Sequence, residues 1–324
     1  MEVLKGKKVL VTGGAGFIGS NLVAELLDLG AFVRVFDNLE TGKLQNLDPF
    51  LDHPCFEFTE GDIRSEDQCR KAVSGVDVIS HQAALGSVPR SIAFPHNTHD
   101  VNATGFLNML HAAKEAGVKR FVYASSSSVY GDSQTSPKAE GAEGNPLSPY
   151  AVTKSLNEKY AKVYHQLHAM ESIGLRYFNV FGTGQDPNGV YAAAIPKFID
   201  KMIKGEVITV NGDGEQTRDF TYVKNAVEAN ILGLTSSNKE AFGEVFNVAC
   251  GSSYSLNRIL LEIEENLKKY GLFDARTTIM YGPERSGDVR DSLANISKIN
   301  KLLGYSGKFS FYEGISEYIS GMNK

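Results

Sequence analysis

Lys8-Val9-Leu10-Val11-Thr12-Gly13-Gly14-Ala15-Gly16-Phe17-Ile18-Gly19-Ser20 is the stretch whose reading decides the fold. A short apolar, β-branched run stops at glycine, and a helical pattern begins three residues later. Strand, tight turn and helix N-terminus follow one another, the context in which a glycine-rich turn carries meaning. The glycines have separate jobs. Gly13 allows the turn, Gly16 lets the backbone approach a pyrophosphate, and Gly19 lets the helix lie close to the strand. A pyrophosphate held there meets amide N–H groups that have no intrahelical partner, at the positive end of the helix.

A second strand, Phe32–Phe36, ends in Asp37. An acidic residue is expected roughly 20 residues beyond such a glycine turn. Its carboxylate can accept both adenosine ribose hydroxyls and would repel a 2′-phosphate, so NAD is expected over NADP. A turn that merely joined strand to helix would need no such acid.

At 324 residues the chain exceeds the length, about 250–300, at which a single core stops growing. One large domain with a smaller appendage is expected. With 42% hydrophobic and 22% charged residues, and a formal charge of −5, the chain reads as ordinary and globular, with no electrostatic case for nucleic acid or an anionic membrane. Cys55, Cys69 and Cys250 have no CxxC spacing, which argues against a disulfide frame or zinc site. His165 and His168 have no carboxylate or cysteine cluster with them, so no metal is expected. Met1–Lys7 has no apolar targeting core and no later stretch is long and apolar enough to span a bilayer, so a cytoplasmic, unanchored protein is expected.

Along the chain the patterns predict a helix over Asn21–Gly30, strands at Phe56–Glu60 and Val76–Ser80, and a helix over Ser65–Ser74 capped by Ser65. A long helix is expected over about Asp100–Ala116, strands at Arg120–Ala124 and Ile173–Phe178, and a helix from Pro149 to His168 between those two. This alternation predicts an α/β, doubly wound parallel Rossmann sheet with a smaller C-terminal α/β substrate-binding lobe. Ligands then bind beyond the carboxyl ends of the strands. The NAD-binding domain is expected over 1–182 with about 219–250, and the lobe over about 183–218 and 251–324.

Tyr150 and Lys154 open the helix after the fifth strand. Residues four apart share a helix face, so the phenol and the ammonium can share a site, and a neighbouring cation favours the phenolate. Ala124-Ser125-Ser126-Ser127-Ser128-Val129-Tyr130-Gly131 sets hydroxyls at the carboxyl edge of the sheet. The glycine turn, this serine run, Tyr-x3-Lys and Leu175-Arg176-Tyr177-Phe178-Asn179-Val180-Phe181-Gly182 together resemble the extended short-chain dehydrogenase/reductase family of nucleotide-sugar enzymes, across essentially the whole chain.

That resemblance implies Ser126, Tyr150 and Lys154 as catalytic residues: a hydroxyl that binds the substrate hydroxyl, an acid/base, and the holder of the nicotinamide ribose. To Gly13, Gly16, Gly19 and Asp37 it adds Phe17, Ile18, Asn38, Asp62, Ile63, Gln82, Ala83, Ala84 and Tyr177 along the NAD. It implies a UDP-sugar substrate, with Arg218 and Arg285 on the diphosphate, Asp288 on the uridine ribose and Asn211 near uracil. Dehydratases of the family carry an Asp-Glu pair after the conserved hydroxyl, and decarboxylases usually a glutamate. Here Ser127 and Ser128 stand there, which argues for C4 epimerisation. Gln82–Ser91 resembles bacterial 4-epimerases of N-acetylated UDP-hexosamines, whose sugar pocket maps onto Gly86, Ser87, Ser126, Ser127, Asn179, Ala193 and Ser292. A serine at 292, where relatives restricted to glucose and galactose often carry tyrosine, leaves room for an acetamido group. The alternatives are a 4-epimerase of UDP-glucose/galactose or of the corresponding uronic acids, and a non-catalytic dinucleotide sensor. Relatives dimerise through the helices flanking the fifth strand, so a homodimer is expected.

Overall fold

A computed structural model describes residues 2–187, 193–283 and 290–323. Strands β1 (Lys8–Thr12), β2 (Phe32–Asp37), β3 (Phe56–Glu60), β4 (Val78–His81), β5 (Arg120–Ser126) and β6 (Glu171–Tyr177) join an edge strand, Glu244–Val248, in one seven-stranded sheet. From edge to edge the order is Glu244–Val248, β6, β5, β4, β1, β2, β3, and every pairing is parallel. The helices are α1 (Phe17–Asp28), α2 (Glu66–Ala72), α3 (Val88–Ala93), α4 (Pro95–His99), α5 (Phe106–Glu115), α6 (Pro149–His168), α7 (Ala194–Ile203), α8 (Val223–Thr235), α9 (Leu256–Lys269), α10 (Ser297–Leu303) and α11 (Phe311–Ser320).

The unbroken apolar run of β1 has a cause. Val9 and Val11 pack with Leu22, Val23 and Leu26 of α1 and with α8, while Leu10 packs on the opposite face with Phe106, Met109 and Leu110 of α5. A strand covered on both faces needs apolar residues at both parities. A further cluster gathers Ile195 and Ile199 of α7, Ile259 and Ile263 of α9, and Phe311 and Ile315 of α11.

Several boundaries differ from the sequence pattern. Helix α1 starts at Phe17, not Asn21: Gly16 is its N-cap, and Phe17 and Ile18 pack against the cluster of α7, α9 and α11. Its apolar stripe from Leu22 marks only the face toward the sheet. The expected single helix over Asp100–Ala116 is a π-helical turn, Asp100–Gly105, running into α5 and preceded by α3 and α4. Strand β5 runs on to Ser126, which brings the serine run into the sheet edge. The last helix, which the sequence pattern places at about Glu313–Met322, starts at Phe311, where Ser310 and Glu313 form a capping box.

Candidate active site

The strand order reverses between β1 and β4, and the carboxyl edge at such a switch point opens into a crevice. There lies a cleft of about 590 Å³ whose walls include Gly13, Gly16, Asp37, Ala83, Gly86, Tyr150, Lys154 and Ala193. It is held open by backbone that tolerates no side chain. Gly13, at φ +68°, would place a Cβ 2.6 Å from the nitrogen of Ala83, and at Gly19 a Cβ would run into the carbonyl of Gly13. No side chain caps the amides of α1.

At one end of the cleft Asp37 accepts from the amides of Ala15 and Leu39, both at 2.9 Å, one on each carboxylate oxygen. Burial raises its pKa against the pull of those two amides. Each oxygen keeps lone pairs for a diol. A switch-point crevice, an uncapped helix end among glycines and a carboxylate at the end of β2 fit a dinucleotide without a 2′-phosphate. Lys43 crosses the mouth to Asp186 at 2.7 Å, joining the loop after β2 to the loop after Gly182.

At the other end are the reacting groups. Ser148 caps α6 by accepting the Ala151 amide at 3.1 Å, and Pro149 at the first helical position suits the entry. This sets Tyr150 in the first turn of α6, at the cleft. Ser126 accepts the Ser128 amide at 3.2 Å, and its hydroxyl lowers the pKa of the Tyr150 phenol against the rise from burial. Lys154 is buried, and its Nζ donates to the carbonyl of Ala124 at 2.8 Å; burial pushes its pKa down to about 8. The ammonium lies 6.0 Å from the centre of the Tyr150 ring, and burial raises the phenol, opposed by the Ser126 hydroxyl.

The cleft wall also draws in Phe17, Ile18, Asn38, Ile63, Gln82, Ala84, Ser87 and Tyr177. Tyr177 donates to Gln82 Oε1 at 2.9 Å and accepts from Asn230 at 2.7 Å, inside a buried polar network. Asp62 does not line the cleft; Arg64 engages both its oxygens and holds its pKa down at about 2. Among the sugar-side residues, Ser127 opens a 3-10 turn and Asn179 sits at φ +36° with its amide on the carbonyl of Asp219, 2.9 Å away. Asn211 ends a strand, Ile208–Asn211, paired with Ile279–Gly282. Arg218 and Ser292 are register partners in short parallel strands. Arg285 and Asp288 lie outside the described residues.

Two residues that build the site carried no signal in the sequence pattern. Asn102, in the π turn, accepts from the Leu85 amide at 2.7 Å, donates to the Leu85 carbonyl at 3.0 Å and reaches Thr153 on α6. It thereby fixes the Gln82–Ser87 loop against the catalytic helix; π turns recur at functional sites. Asp219 is fully buried and accepts from the amides of Cys250, Gly251 and Ala294 at 3.0–3.3 Å. It ties the end of the edge strand to the segment that carries Ser292.

Residues 9–249 match the NAD dependent epimerase/dehydratase family. The chain belongs to this family. It is an NAD-dependent enzyme. A putative UDP-glucose 4-epimerase of Methanocaldococcus jannaschii is 36% identical over 316 residues, 97% of this chain and 98% of that protein. Among solved structures, the UDP-N-acetylglucosamine 4-epimerase of Methanobrevibacter ruminantium, in complex with UDP-N-acetylmuramic acid, is 38% identical with a TM-score of 0.89, covering 98% of this chain and 99% of that one. The UDP-glucose 4-epimerase of Thermus thermophilus in complex with NAD is 32% identical with a TM-score of 0.85, covering 98% and 99%.

Proposed function

We propose that this protein is a 4-epimerase of UDP-N-acetylhexosamines, interconverting UDP-GlcNAc and UDP-GalNAc with NAD held through the turnover. The coarser statement, an NAD-dependent UDP-sugar 4-epimerase and thus an isomerase, is supported by the relatives together. The serine run carries epimerisation, since the two positions after Ser126 are Ser127 and Ser128, neither acidic, and Ser292, register partner of Arg218, carries the acetylated sugar, standing where relatives restricted to glucose and galactose often have tyrosine. Eliminating water or losing carbon dioxide calls for further acid and base groups. Epimerisation needs one proton site and one hydride site.

Bound NAD supplies the hydride acceptor and donor at C4 of the sugar and a positive charge beside the phenol. The protein does the rest. Tyr150, as phenolate, takes the proton of the 4-hydroxyl and later returns it, Ser126 orients that hydroxyl, and Lys154, anchored on Ala124, holds the nicotinamide ribose with its remaining N–H groups. Proton transfer of this kind contributes about 10²–10⁴ in rate. Arg218, with Arg285, anchors the diphosphate while the 4-keto sugar turns over and presents its other face. Asp288 holds the uridine ribose and Asn211 the uracil. Gly86, Ser87, Ser127, Asn179, Ala193 and Ser292 line the sugar pocket, Ser292 leaving space for the acetamido group.

The lobe of about 183–218 and 251–324 carries the nucleotide-sugar side in this reading, and two copies pair through the helices flanking β5 as a homodimer. The protein acts in the cytoplasm. Incubation with UDP-GlcNAc and no added NAD, followed by NMR of the product, tests the proposal: UDP-GalNAc is expected. Turnover confined to UDP-glucose and UDP-galactose would replace it with the reading that the relatives named UDP-glucose 4-epimerase suggest.

A further inference from the structure

The catalytic side chains come from β5 and α6, and the parts that hold those elements together lie behind the cleft. Glu158 sits one turn beyond Lys154 on α6, with its side chain 12% exposed. Its Oε1 accepts from the Ser125 hydroxyl at 2.5 Å and from Arg176 Nε at 2.9 Å, and its Oε2 accepts from a second nitrogen of Arg176 at 2.7 Å. Arg176, on β6, is buried, pairs on its far side with Glu143, and has its guanidinium carbon 4.9 Å from the ring centre of Tyr130. Charges therefore alternate away from the cleft: Lys154, Glu158, Arg176 and the part-exposed Glu143.

We propose that Glu158 is a positioning residue for the epimerisation, pinning the end of β5 to α6 through Ser125 and α6 to β6 through Arg176, and serving as the counter-charge that keeps Lys154 protonated. This rests on the reading of Tyr150 and Lys154 as the catalytic pair. The geometry makes one carboxylate the meeting point of three elements. Ser125 adjoins Ser126, so a slip of the strand end against α6 would move the Ser126 hydroxyl relative to the Tyr150 phenol.

The electrostatic half follows from what surrounds Lys154. Burial pulls its pKa down to about 8, and Glu158 pulls the other way. Among the described residues, the titratable groups that face it are Tyr150 and Glu158 on α6 and His81 on β4, which burial keeps neutral. Ala124 of β5 offers a carbonyl, and the π turn brings Val101 to the cleft wall. Arg176 and Glu143 act on Lys154 through Glu158. Glu158, one turn along the same helix, is the charge that opposes the fall.

The test is the pH profile of kcat with UDP-GlcNAc for the NAD-bound enzyme and for Glu158→Gln. Glutamine carries no charge; its one oxygen can keep the bonds from Ser125 and Arg176 Nε, and its NH2 group loses the bond from the other arginine nitrogen. The alkaline limb is expected to move to lower pH, with turnover retained but lowered on the acidic side. An unmoved limb in a folded, NAD-bound variant overturns the proposal. Because an uncompensated arginine can unfold the chain, Glu158→Leu with Arg176→Met replaces the buried pair by apolar side chains; with a cation lost beside the anion a smaller limb shift and a lowered kcat are expected, and a native kcat overturns the pin. Ser125→Ala keeps the charge and loosens the pin. It should lower kcat at every pH without moving the limb, and a limb shift there would refute the counter-charge. Lys154→Met, run alongside, separates the two levels: loss of turnover upholds the catalytic pair whatever Glu158 does, and native turnover removes the pair and this proposal together.

Discussion

A Cβ at Gly13 would stand 2.6 Å from the backbone nitrogen of Ala83, so β1 and β4 approach so closely at the switch point that only a glycine passes. The positive φ adds strain for any other residue. Gly16 differs: its φ of −80° suits alanine, and a Cβ there meets only the carbonyl of Gly13 at 3.2 Å. Gly13→Ala should therefore cost the fold itself, lowering the thermal midpoint or the soluble yield. Gly16→Ala should fold and lose bound NAD. The check is NAD released on denaturation, per chain, beside the melting temperature. A Gly16→Ala protein that keeps its NAD would show that Gly16 does not face the pyrophosphate.

Tyr150→Phe removes the proton site and leaves the ring that lines the cleft. Burial holds the phenol above its ordinary range in the ligand-free protein, so turnover depends on charge gathered beside it. The variant should keep NAD and lose at least about 10²-fold in kcat. Steady-state epimerisation with UDP-GlcNAc measures it, and native kcat would remove the phenol from the chemistry.

Ser292 sits opposite Arg218 in register, at the seam between the expected diphosphate anchor and the expected sugar pocket. A tyrosine there fills the acetamido space. Ser292→Tyr should lower kcat/KM for UDP-GlcNAc by at least about tenfold, the scale of one misfit group in a pocket, while sparing any turnover of UDP-glucose. Equal loss on both sugars would mean that the ring disturbs Arg218 and not a sugar pocket.

What the sequence made legible was local. The glycine spacing, the Tyr-x3-Lys spacing and the serine run are read within a few residues, and the seven-stranded sheet follows from alternating strand and helix patterns. Asn102 was invisible because its amide finds Leu85 only after the π turn folds back on the loop after β4. Asp219 was hidden for the same reason, its amide donors lying 31 to 75 residues away. At Asp62 the resemblance implied a cofactor contact, and the structure adds a partner that the sequence pattern did not show, Arg64 on its carboxylate. Periodicity places a residue on a face; it does not say which neighbour reaches it first.

His81 gives the last expectation. It is buried at the end of β4, its Nδ1 2.8 Å from the Thr12 hydroxyl, with Phe106 and Phe121 against its ring. Burial and the Lys154 ammonium push its pKa down to about 3, below the 6.5 or so of an unfolded chain. The unfolded chain therefore binds the proton first, and stability must fall as pH drops from about 6.5 toward 3. At full effect the loss approaches about 4 kcal/mol near pH 3.5, as an upper bound. Replacing His81 by Asn, which can still hydrogen-bond Thr12, removes this titration while costing packing at every pH. Urea midpoints measured from pH 7.5 to 4 should fall less steeply for His81→Asn than for the native protein. Parallel slopes would mean that the imidazole is already charged in the folded state, and that Lys154 shares its pocket with a second cation.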